Sequence, residues 1–210
     1  DAEGILLCES DGTPEEVAEE IGRMVAVLEN SGASGIRVSQ NESERLRFWA
    51  GRKAAFPAVG RMTPDYLCMD GTIPRKRLAE MLQAIAGWSA MYGLRCANVF
   101  HAGDGNLHPL IMYDANQPGE LNRAAAFGAE ILELSVRFGG TITGEHGVGI
   151  EKIMLMAEQF TEAEIAAFHR LKAAFDEHGL LNPGKSVPTL ARCREYTQAR
   201  GGIVPAAPRY

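Results

Sequence analysis

Hydrophobic residues recur at helical spacing in five stretches of the chain, and short apolar runs lie between them. In the first stretch Val17, Ile21 and Leu28 share one face of a helix. Thr13, with Glu16 three residues later, predicts a capping box at the start of this helix. The five patterns predict helices over residues 14–31, 42–56, 72–92, 121–138 and 162–178, the second of them ended by Pro57.

The runs between these helices predict strands over residues 4–9, 36–39 and 66–69, and two more within 94–113. The last two are separated by Gly103-Asp104-Gly105-Asn106, a strong turn signal. Helices that alternate with strands, together with one hairpin, favour an α+β fold over a doubly wound parallel sheet. We therefore expect antiparallel-rich sheets covered by helices, ferredoxin-like subdomains and a helical C-terminal part.

The same patterns predict the domain organisation. Residues 1–182 carry the periodic elements and are expected to form one domain. Residues 183–210 contain Pro, Gly and charge with little periodicity, so we expect an extended C-terminal tail. Because the first residue is Asp1 and not Met, we also expect the chain to be a piece of a longer protein.

Composition and charge narrow the classes of function. With 46% hydrophobic and 23% charged residues among 210, the chain has the composition of a globular protein. Its 21 basic and 27 acidic residues give a net charge of −6, which argues against a nucleic-acid partner or an anionic membrane surface. The four cysteines lie far apart, and the sequence shows neither a signal peptide nor an apolar run of roughly 18 residues. We therefore expect a reducing, cytoplasmic environment.

Two of the five histidines flank the predicted turn. If residues 103–106 form the loop, His101 lies directly opposite His108 on one face of the hairpin, with Cβ atoms roughly 4.5–5.5 Å apart. Two imidazoles in this arrangement can both reach a metal ion at about 2.0–2.1 Å. The alternative is a pair of half-buried histidines that only stabilise the hairpin.

A second glycine-rich turn, Gly144-Glu145-His146-Gly147-Val148-Gly149, follows a predicted strand over residues 141–143. Glu145 or His146 could supply a third ligand, since divalent metal ions accept both carboxylate and neutral imidazole. Adjacent residues of an extended segment point in opposite directions, so we expect one to face the metal and the other a substrate. Two histidines and one carboxylate leave coordination positions open, as in a catalytic site. The alternative is a loop that cradles a phosphate, which the short, poorly capped helix after it disfavours.

Arg52 lies near the end of the second predicted helix. Its planar guanidinium group fits the carboxylate of a substrate acid. The alternative is a solvated cation on a helix that carries many charges. His169 and His178, on the last predicted helix, are interpreted as structural residues.

Three motifs together resemble the C-terminal domain of FAD-linked oxidases, which belong to the vanillyl-alcohol-oxidase type of flavoproteins. They are residues 101–108, the turn at 144–149, and Leu181-Asn182-Pro183-Gly184-Lys185. Within the family they are most similar to the D subunit of bacterial glycolate oxidases and to D-lactate dehydrogenases, and the resemblance covers essentially the whole chain. It implies an FAD-dependent oxidoreductase that oxidises a small D-2-hydroxy acid by hydride transfer to FAD.

The resemblance also implies a role for each matching residue. His101, His108 and Glu145 match the family's metal ligands, and the metal is expected to be Zn, Mn or Fe. His146 matches the base that accepts the proton of the substrate hydroxyl group. Arg52 matches the arginine that holds the substrate carboxylate.

Other matching positions concern the flavin and the size of the substrate. Asn182 and Lys185 match the stretch that approaches the flavin ring. Two positions depart from the D-2-hydroxyglutarate dehydrogenases of the family, because Cys68 stands where they have a lysine and Leu110 where they have an asparagine. Both changes remove a polar partner for a second carboxylate, so glycolate or D-lactate is the expected substrate.

Family members carry an FAD-binding domain ahead of this one, and this chain is expected to lack it and to be inactive alone. FAD is therefore expected to be bound mostly by that domain of the same polypeptide. Other oxidase subunits or a homodimer partner are further expected partners, and the subunits could hold the protein at the periphery of the inner membrane. Two other functions stay open: a metal-dependent hydrolase, in which His101, His108 and Glu145 activate water, and a stand-alone, non-catalytic binding domain of the same fold.

Overall fold

A computed structural model describes residues 3–188 of the chain. The chain forms two compact units, residues 1–56 and residues 57–210. The division lies inside the predicted domain of residues 1–182, whose extent stays a prediction. Most of the predicted tail, and Cys193 with it, lies outside the described residues.

The first unit is built from helices. α1 spans Pro14–Asn30 and α2 spans Glu42–Lys53. The capping box predicted for α1 is confirmed, because the Thr13 hydroxyl accepts a hydrogen bond from the Glu16 N–H and the Glu16 carboxylate accepts one from the Thr13 N–H. The strands predicted over residues 4–9 and 36–39 are wrong. Neither segment is part of a ladder among the described residues, and a strand forms only against a hydrogen-bonded neighbour.

The helix predicted over residues 42–56 is interrupted. α2 ends at Lys53, and Ala54 separates it from a short helix α3, Ala55–Val59, which contains Pro57. The predicted stop at Pro57 is therefore wrong. Proline is tolerated in the first turn of a helix, because the N–H that it lacks has no partner within the helix there.

The second unit contains two small antiparallel sheets. Its strands are β1 (Asp65–Cys68), β2 (Gly71–Thr72), β3 (Cys96–Asn98), β4 (Asn106–Leu107) and β5 (Pro109–Tyr113). Three of them form one sheet in the order β1-β5-β3, and β2 pairs with β4 in the other. The central position of β5 buries four of its five residues.

The helices of this unit follow the predicted pattern. They are α4 (Leu78–Tyr92), α5 (Glu120–Arg137), α6 (Met156–Gln159) and α7 (Glu162–Phe175). α4 begins later than predicted, because Thr72 belongs to β2 and a 3₁₀ turn precedes the helix. The α+β class, with antiparallel sheets and a helical C-terminal part, is confirmed.

The core of the second unit is formed by α4, α5 and the three-stranded sheet. It includes the fully buried side chains Met81, Ile85, Ile111, Phe127 and Ile131. β1 and β5 belong to this sheet, so the packed core holds the residues at the ends of both strands in place. Side chains on such rigid elements keep the geometry that a functional site needs. None of the helices within residues 3–188 combines the length and the apolar content needed to span a bilayer.

Candidate metal and substrate site

The hairpin that carries the two histidines has a different register from the predicted one. Beyond β3 the ladder continues with His101 opposite Asn106, through backbone hydrogen bonds of 3.0 and 3.3 Å. The loop therefore consists of residues 102–105. His108 is not directly opposite His101, because its carbonyl accepts a hydrogen bond from the Val99 N–H instead. The predicted direct opposition is wrong.

The difference in register does not separate the two imidazoles. Because the pairing moves by two residues, His101 and His108 stay on the same face, as predicted, and their ring centroids lie 5.3 Å apart. Gly105 permits this loop. Its φ is +75°, and a Cβ there would lie 2.1 Å from the Ile73 carbonyl oxygen, so only glycine fits.

The two histidines differ in depth. The His108 side chain is 3% exposed, whereas that of His101 is 45% exposed. Burial lowers the pKa of His108, which keeps its imidazole neutral near pH 7, and the neutral ring is the form that binds metal ions. The site is therefore closed on the His108 side and open to solvent on the His101 side.

Glu145 reaches both histidines. One carboxylate oxygen lies 3.6 Å from His101 Nε2, and the other lies 3.6 Å from His108 Nε2. Ligand atoms at about 2.1 Å from a tetrahedral ion lie roughly 3.4 Å apart, so Glu145 and each histidine are spaced as two ligands of one divalent ion would be. The three residues predicted as metal ligands are therefore brought together, and their donor types suit the ion.

His146 lies on the same side of the turn as Glu145. Its ring stacks on that of His108 with centroids 5.0 Å apart, and its Nε2 is 4.0 Å from the Glu145 carboxylate. Ligand atoms of Asp70, His108, Glu145 and His146 all lie within 4.8 Å of one another, and His101 lies outside this group but 3.6 Å from Glu145. The prediction that Glu145 and His146 point in opposite directions is wrong, since the segment is curved and not extended.

The curvature is centred on Asp70, which the sequence interpretation missed. The fully buried Asp70 carboxylate accepts hydrogen bonds from three successive backbone N–H groups, those of Gly144, Glu145 and His146, at 2.9–3.1 Å. The Thr143 hydroxyl donates to it as well, at 2.9 Å. Burial by itself raises the pKa of Asp70, but these hydrogen bonds and a nearby ammonium group lower it far below its usual range.

The ammonium group belongs to Lys152. Its Nζ donates to the Asp70 carbonyl oxygen at 2.7 Å and to the carboxylate at 3.2 Å, and its side chain is 4% exposed. The sequence contains a signal for this pair. Asp70 directly follows the apolar residues 67–69, and Lys152 directly precedes the apolar residues 153–156, and a charge in such a position is rarely buried without a partner.

The other predicted site residues lie on different parts of the chain. Arg52 is half-buried in the last turn of α2, in the first unit, and its role stays a prediction. Asn182 and Lys185 are exposed on one loop, where the Lys185 N–H donates to the Asn182 carbonyl at 3.2 Å. This loop is tied to the glycine-rich turn, because the Ser186 N–H donates to the Gly149 carbonyl at 2.7 Å.

Cys68 and Leu110 are directly paired between β1 and β5. Side chains of residues two apart on a strand share a face, so Leu110 is on the same face as His108. Burial raises the pKa of the Cys68 thiol to about 11, so the side chain is neutral. The wall beside His108 therefore offers a neutral thiol and an aliphatic group.

The sequence of this chain matches a known protein family and several curated proteins. Residues 1–186 match the family model described as FAD linked oxidases, C-terminal domain. The chain is 60% identical to the glycolate oxidase subunit GlcD of Escherichia coli over 196 residues, which are 93% of this chain and 39% of that protein. It is 29% identical to the probable mitochondrial D-lactate dehydrogenase of Danio rerio, over 86% of this chain and 37% of that protein. The chain thus spans about two fifths of the length of these curated relatives.

A solved structure shares the fold. The 4-ethylphenol oxidase from Gulosibacter chungangensis, solved as its isoeugenol complex, superimposes with a TM-score of 0.56. The match covers 85% of this chain and 38% of that one, at 15% sequence identity. At this identity the likeness concerns the fold alone.

Proposed function

Because the chain belongs to the family of FAD-linked oxidase C-terminal domains, we propose that it is the substrate- and metal-binding part of a flavin-dependent oxidoreductase that oxidises glycolate or D-lactate. The observation that carries the proposal is the Glu145 carboxylate, which lies 3.6 Å from the Nε2 atoms of both His101 and His108. The names of the relatives, a glycolate oxidase subunit and a D-lactate dehydrogenase, support the class of substrate.

The divalent ion would be held by His101, His108 and Glu145. Two imidazoles and one carboxylate suit Zn, Mn and Fe, and they leave positions for the substrate hydroxyl and carboxylate groups. When bound, the ion supplies a Lewis acid, and FAD supplies the two-electron acceptor that takes the α-hydrogen of the substrate as a hydride.

The chain's own residues bind the acid and take its proton. His146 stacks beside His108 and next to Glu145, so its imidazole borders the ligand set and can accept the proton of the 2-hydroxyl group. Arg52 is proposed to hold the substrate carboxylate through its guanidinium fork. The exposed Asn182 and Lys185 are proposed to approach a flavin that other parts of the full protein bind.

The wall of the site favours a small monocarboxylate. Cys68 and Leu110 pair beside His108, and neither side chain carries a charge that could bind a second carboxylate. Lys152 lies close by but is committed to Asp70. Glycolate and D-lactate have one carboxylate each, which supports them over a dicarboxylic acid.

The proposal extends to partners and location. An FAD-binding domain of the same polypeptide is the first proposed partner. The relation to a protein named as a glycolate oxidase subunit supports further oxidase subunits. A homodimer, the cytoplasmic location and attachment to the inner membrane through such subunits stay predictions.

One experiment tests the metal site and the reaction together. The open reading frame that contains these residues is expressed in full and assayed with D-2-hydroxy acids and an artificial electron acceptor. We expect oxidation of glycolate or D-lactate. His101→Ala should lose both metal and turnover, because it removes a ligand. His146→Ala should keep the metal and lose about 10²–10⁴-fold in turnover, because it removes a general base.

The matched control is His169→Ala, since the His169 ring is hydrogen-bonded to the Pro188 carbonyl and is not one of the three proposed ligands. It should keep metal content and turnover. Full metal occupancy in His101→Ala would reject the ligand assignment. Hydrolysis of an ester or amide without flavin would reject the oxidoreductase in favour of a metal-dependent hydrolase.

A further inference from the structure

We propose that Asp70 and Lys152 are positioning residues of this site: their buried ion pair holds residues 143–146 in the arc that presents Glu145 to the metal ion and His146 to the substrate. The inference rests on the proposed function. It assigns neither residue as a metal ligand or as a base.

The Asp70 carboxylate borders the histidines, but most of its lone-pair sites accept hydrogen bonds from the turn and from Lys152. Oδ2 has five donors at 2.9–3.2 Å, which are Thr143 Oγ1, Lys152 Nζ and the backbone nitrogens of Gly144, Glu145 and His146. Oδ1 accepts from the Glu145 N–H at 3.0 Å and lies 3.5 Å from His108 Nε2. A carboxylate oxygen has about two lone-pair sites, so Oδ2 has none left for a metal ion.

The convergence of three successive N–H groups on one anion has a geometric consequence. Such a run of N–H groups forms a concave nest, and the backbone curves around the anion. In an extended segment Glu145 and His146 would point to opposite faces. In the arc both side chains lie within the same group of ligand atoms, together with His108. The anion therefore sets the direction of both functional side chains.

Lys152 compensates the charge of the buried Asp70 carboxylate. The two side chains are 4% and 0% exposed, and an unpaired charge in such a position is strongly unfavourable. Lys152 Nζ also donates to the Asp70 carbonyl oxygen at 2.7 Å, so it holds the backbone as well as the carboxylate. An apolar pair of similar volume could fill the same space, but it could not accept the three N–H groups. That difference separates a positioning role from a packing role.

The test compares Asp70→Asn, Lys152→Met and the double variant with the parent, in the full open reading frame depleted of metal. Amide hydrogen exchange of residues 144–146, followed by mass spectrometry, reports the arc itself. Titration calorimetry with ZnCl₂ reports what the arc does for the ligand set. We expect Asp70→Asn and the double variant to lose amide protection and to bind Zn²⁺ about 10–100-fold more weakly, the usual cost of removing an outer-shell partner.

The double variant separates positioning from stability. Removing both charges leaves no unpaired ion, so its thermal midpoint should lie closer to the parent's than that of Lys152→Met. Its Zn²⁺ affinity should nevertheless stay low. The matched control is Asp176→Asn, which removes a carboxylate that accepts two loop N–H groups and a lysine elsewhere in the unit. It should leave Zn²⁺ affinity unchanged.

Two outcomes would overturn the inference. One is a double variant that binds Zn²⁺ as tightly as the parent. The other is unchanged amide protection of residues 144–146 in Asp70→Asn. If the parent itself binds no Zn²⁺, the proposed metal site fails, and the exchange measurement still decides whether Asp70 holds the arc.

Discussion

Two aspartates of the second unit hold loops by the same chemistry, but their lysine partners differ in exposure. Asp70 accepts three N–H groups of the turn at 144–146 and pairs with Lys152, and both side chains are almost fully buried. Asp176 accepts the N–H groups of Leu180 and Leu181 at 2.8 and 3.0 Å. Its partner Lys172, at 2.8 Å, has a side chain that is 32% exposed, whereas the Asp176 side chain itself is 5% exposed.

The two arrangements differ in how far apart in sequence their parts lie. Lys172 and Asp176 are four residues apart at the end of α7, and the bonded loop follows directly. Asp70 is separated from its partners by 73 to 82 residues. The Asp176 arrangement can therefore form from a local segment, whereas the Asp70 arrangement exists only when β1, the glycine-rich turn and the start of the C-terminal part have all packed together.

The two carboxylates therefore contribute differently to the stability of the fold. The partly exposed Lys172 ammonium group can be solvated by water, so its ion pair with Asp176 adds little to stability, while the Asp176 carboxylate shapes the loop that leads to Asn182. The Asp70 carboxylate is shielded from water, so water cannot replace any of its hydrogen-bond partners. We expect loss of the Asp70 arrangement to affect stability and function far more.

The largest expected effect is that of Lys152→Met. This change leaves the Asp70 carboxylate buried without its counter-charge, which typically lowers the free energy of unfolding by about 3–5 kcal/mol. Lys172→Met, the matched change at the pair whose lysine is partly exposed, should lower it by less. Urea unfolding followed by circular dichroism measures both. Equal losses would show that burial does not distinguish the two pairs.

A smaller loss of stability is expected when glycines near the two loops are replaced by alanine. A Cβ at Gly140 would lie 1.8 Å from the Thr72 carbonyl oxygen, so Gly140→Ala should cost about 3 kcal/mol, the upper range for overpacking. Gly179, beside the Asp176 loop, has free space but a φ of +65°, so Gly179→Ala should cost about 1–2 kcal/mol of left-handed strain. The same unfolding measurement ranks them, and a larger loss at Gly179 would reverse the comparison.

The smallest expected effect is a change of stability at low pH. Burial opposes ionisation of Asp70, but its hydrogen bonds and Lys152 lower its pKa far below the usual range; the hydrogen bond from Lys172 lowers the pKa of Asp176 less. A carboxylate with a lowered pKa stabilises the fold fully above its unfolded pKa of about 3.9, and this contribution is lost as pH falls through the folded value.

The stability difference between parent and Asp176→Asn should therefore shrink first as the pH falls below about 4. The difference between parent and Asp70→Asn should persist to lower pH. Unfolding curves between pH 6 and pH 2 measure both differences. Simultaneous loss of the two would contradict the ordering.

The sequence by itself determined the local elements. The capping boxes at Thr13 and Thr161 and most of the helices follow from contacts between residues a few positions apart, so the order of residues is enough to predict them. The same holds for the candidates His101, His108 and Glu145, whose residue types and turn positions point to metal chemistry before any fold is known.

Tertiary structure alone decided the register of the hairpin, the absence of strands at residues 4–9 and 36–39 among the described residues, and the direction of Glu145 and His146. Each depends on a group distant in sequence. The Ile73 carbonyl excludes a Cβ at Gly105 in the hairpin, and the Asp70 carboxylate curves the turn that carries Glu145 and His146. A strand needs a hydrogen-bonded neighbour, which residues 4–9 and 36–39 do not have among the described residues. Hydrogen bonds and steric exclusion act between atoms that meet in space, and which atoms meet is settled only when the whole core packs.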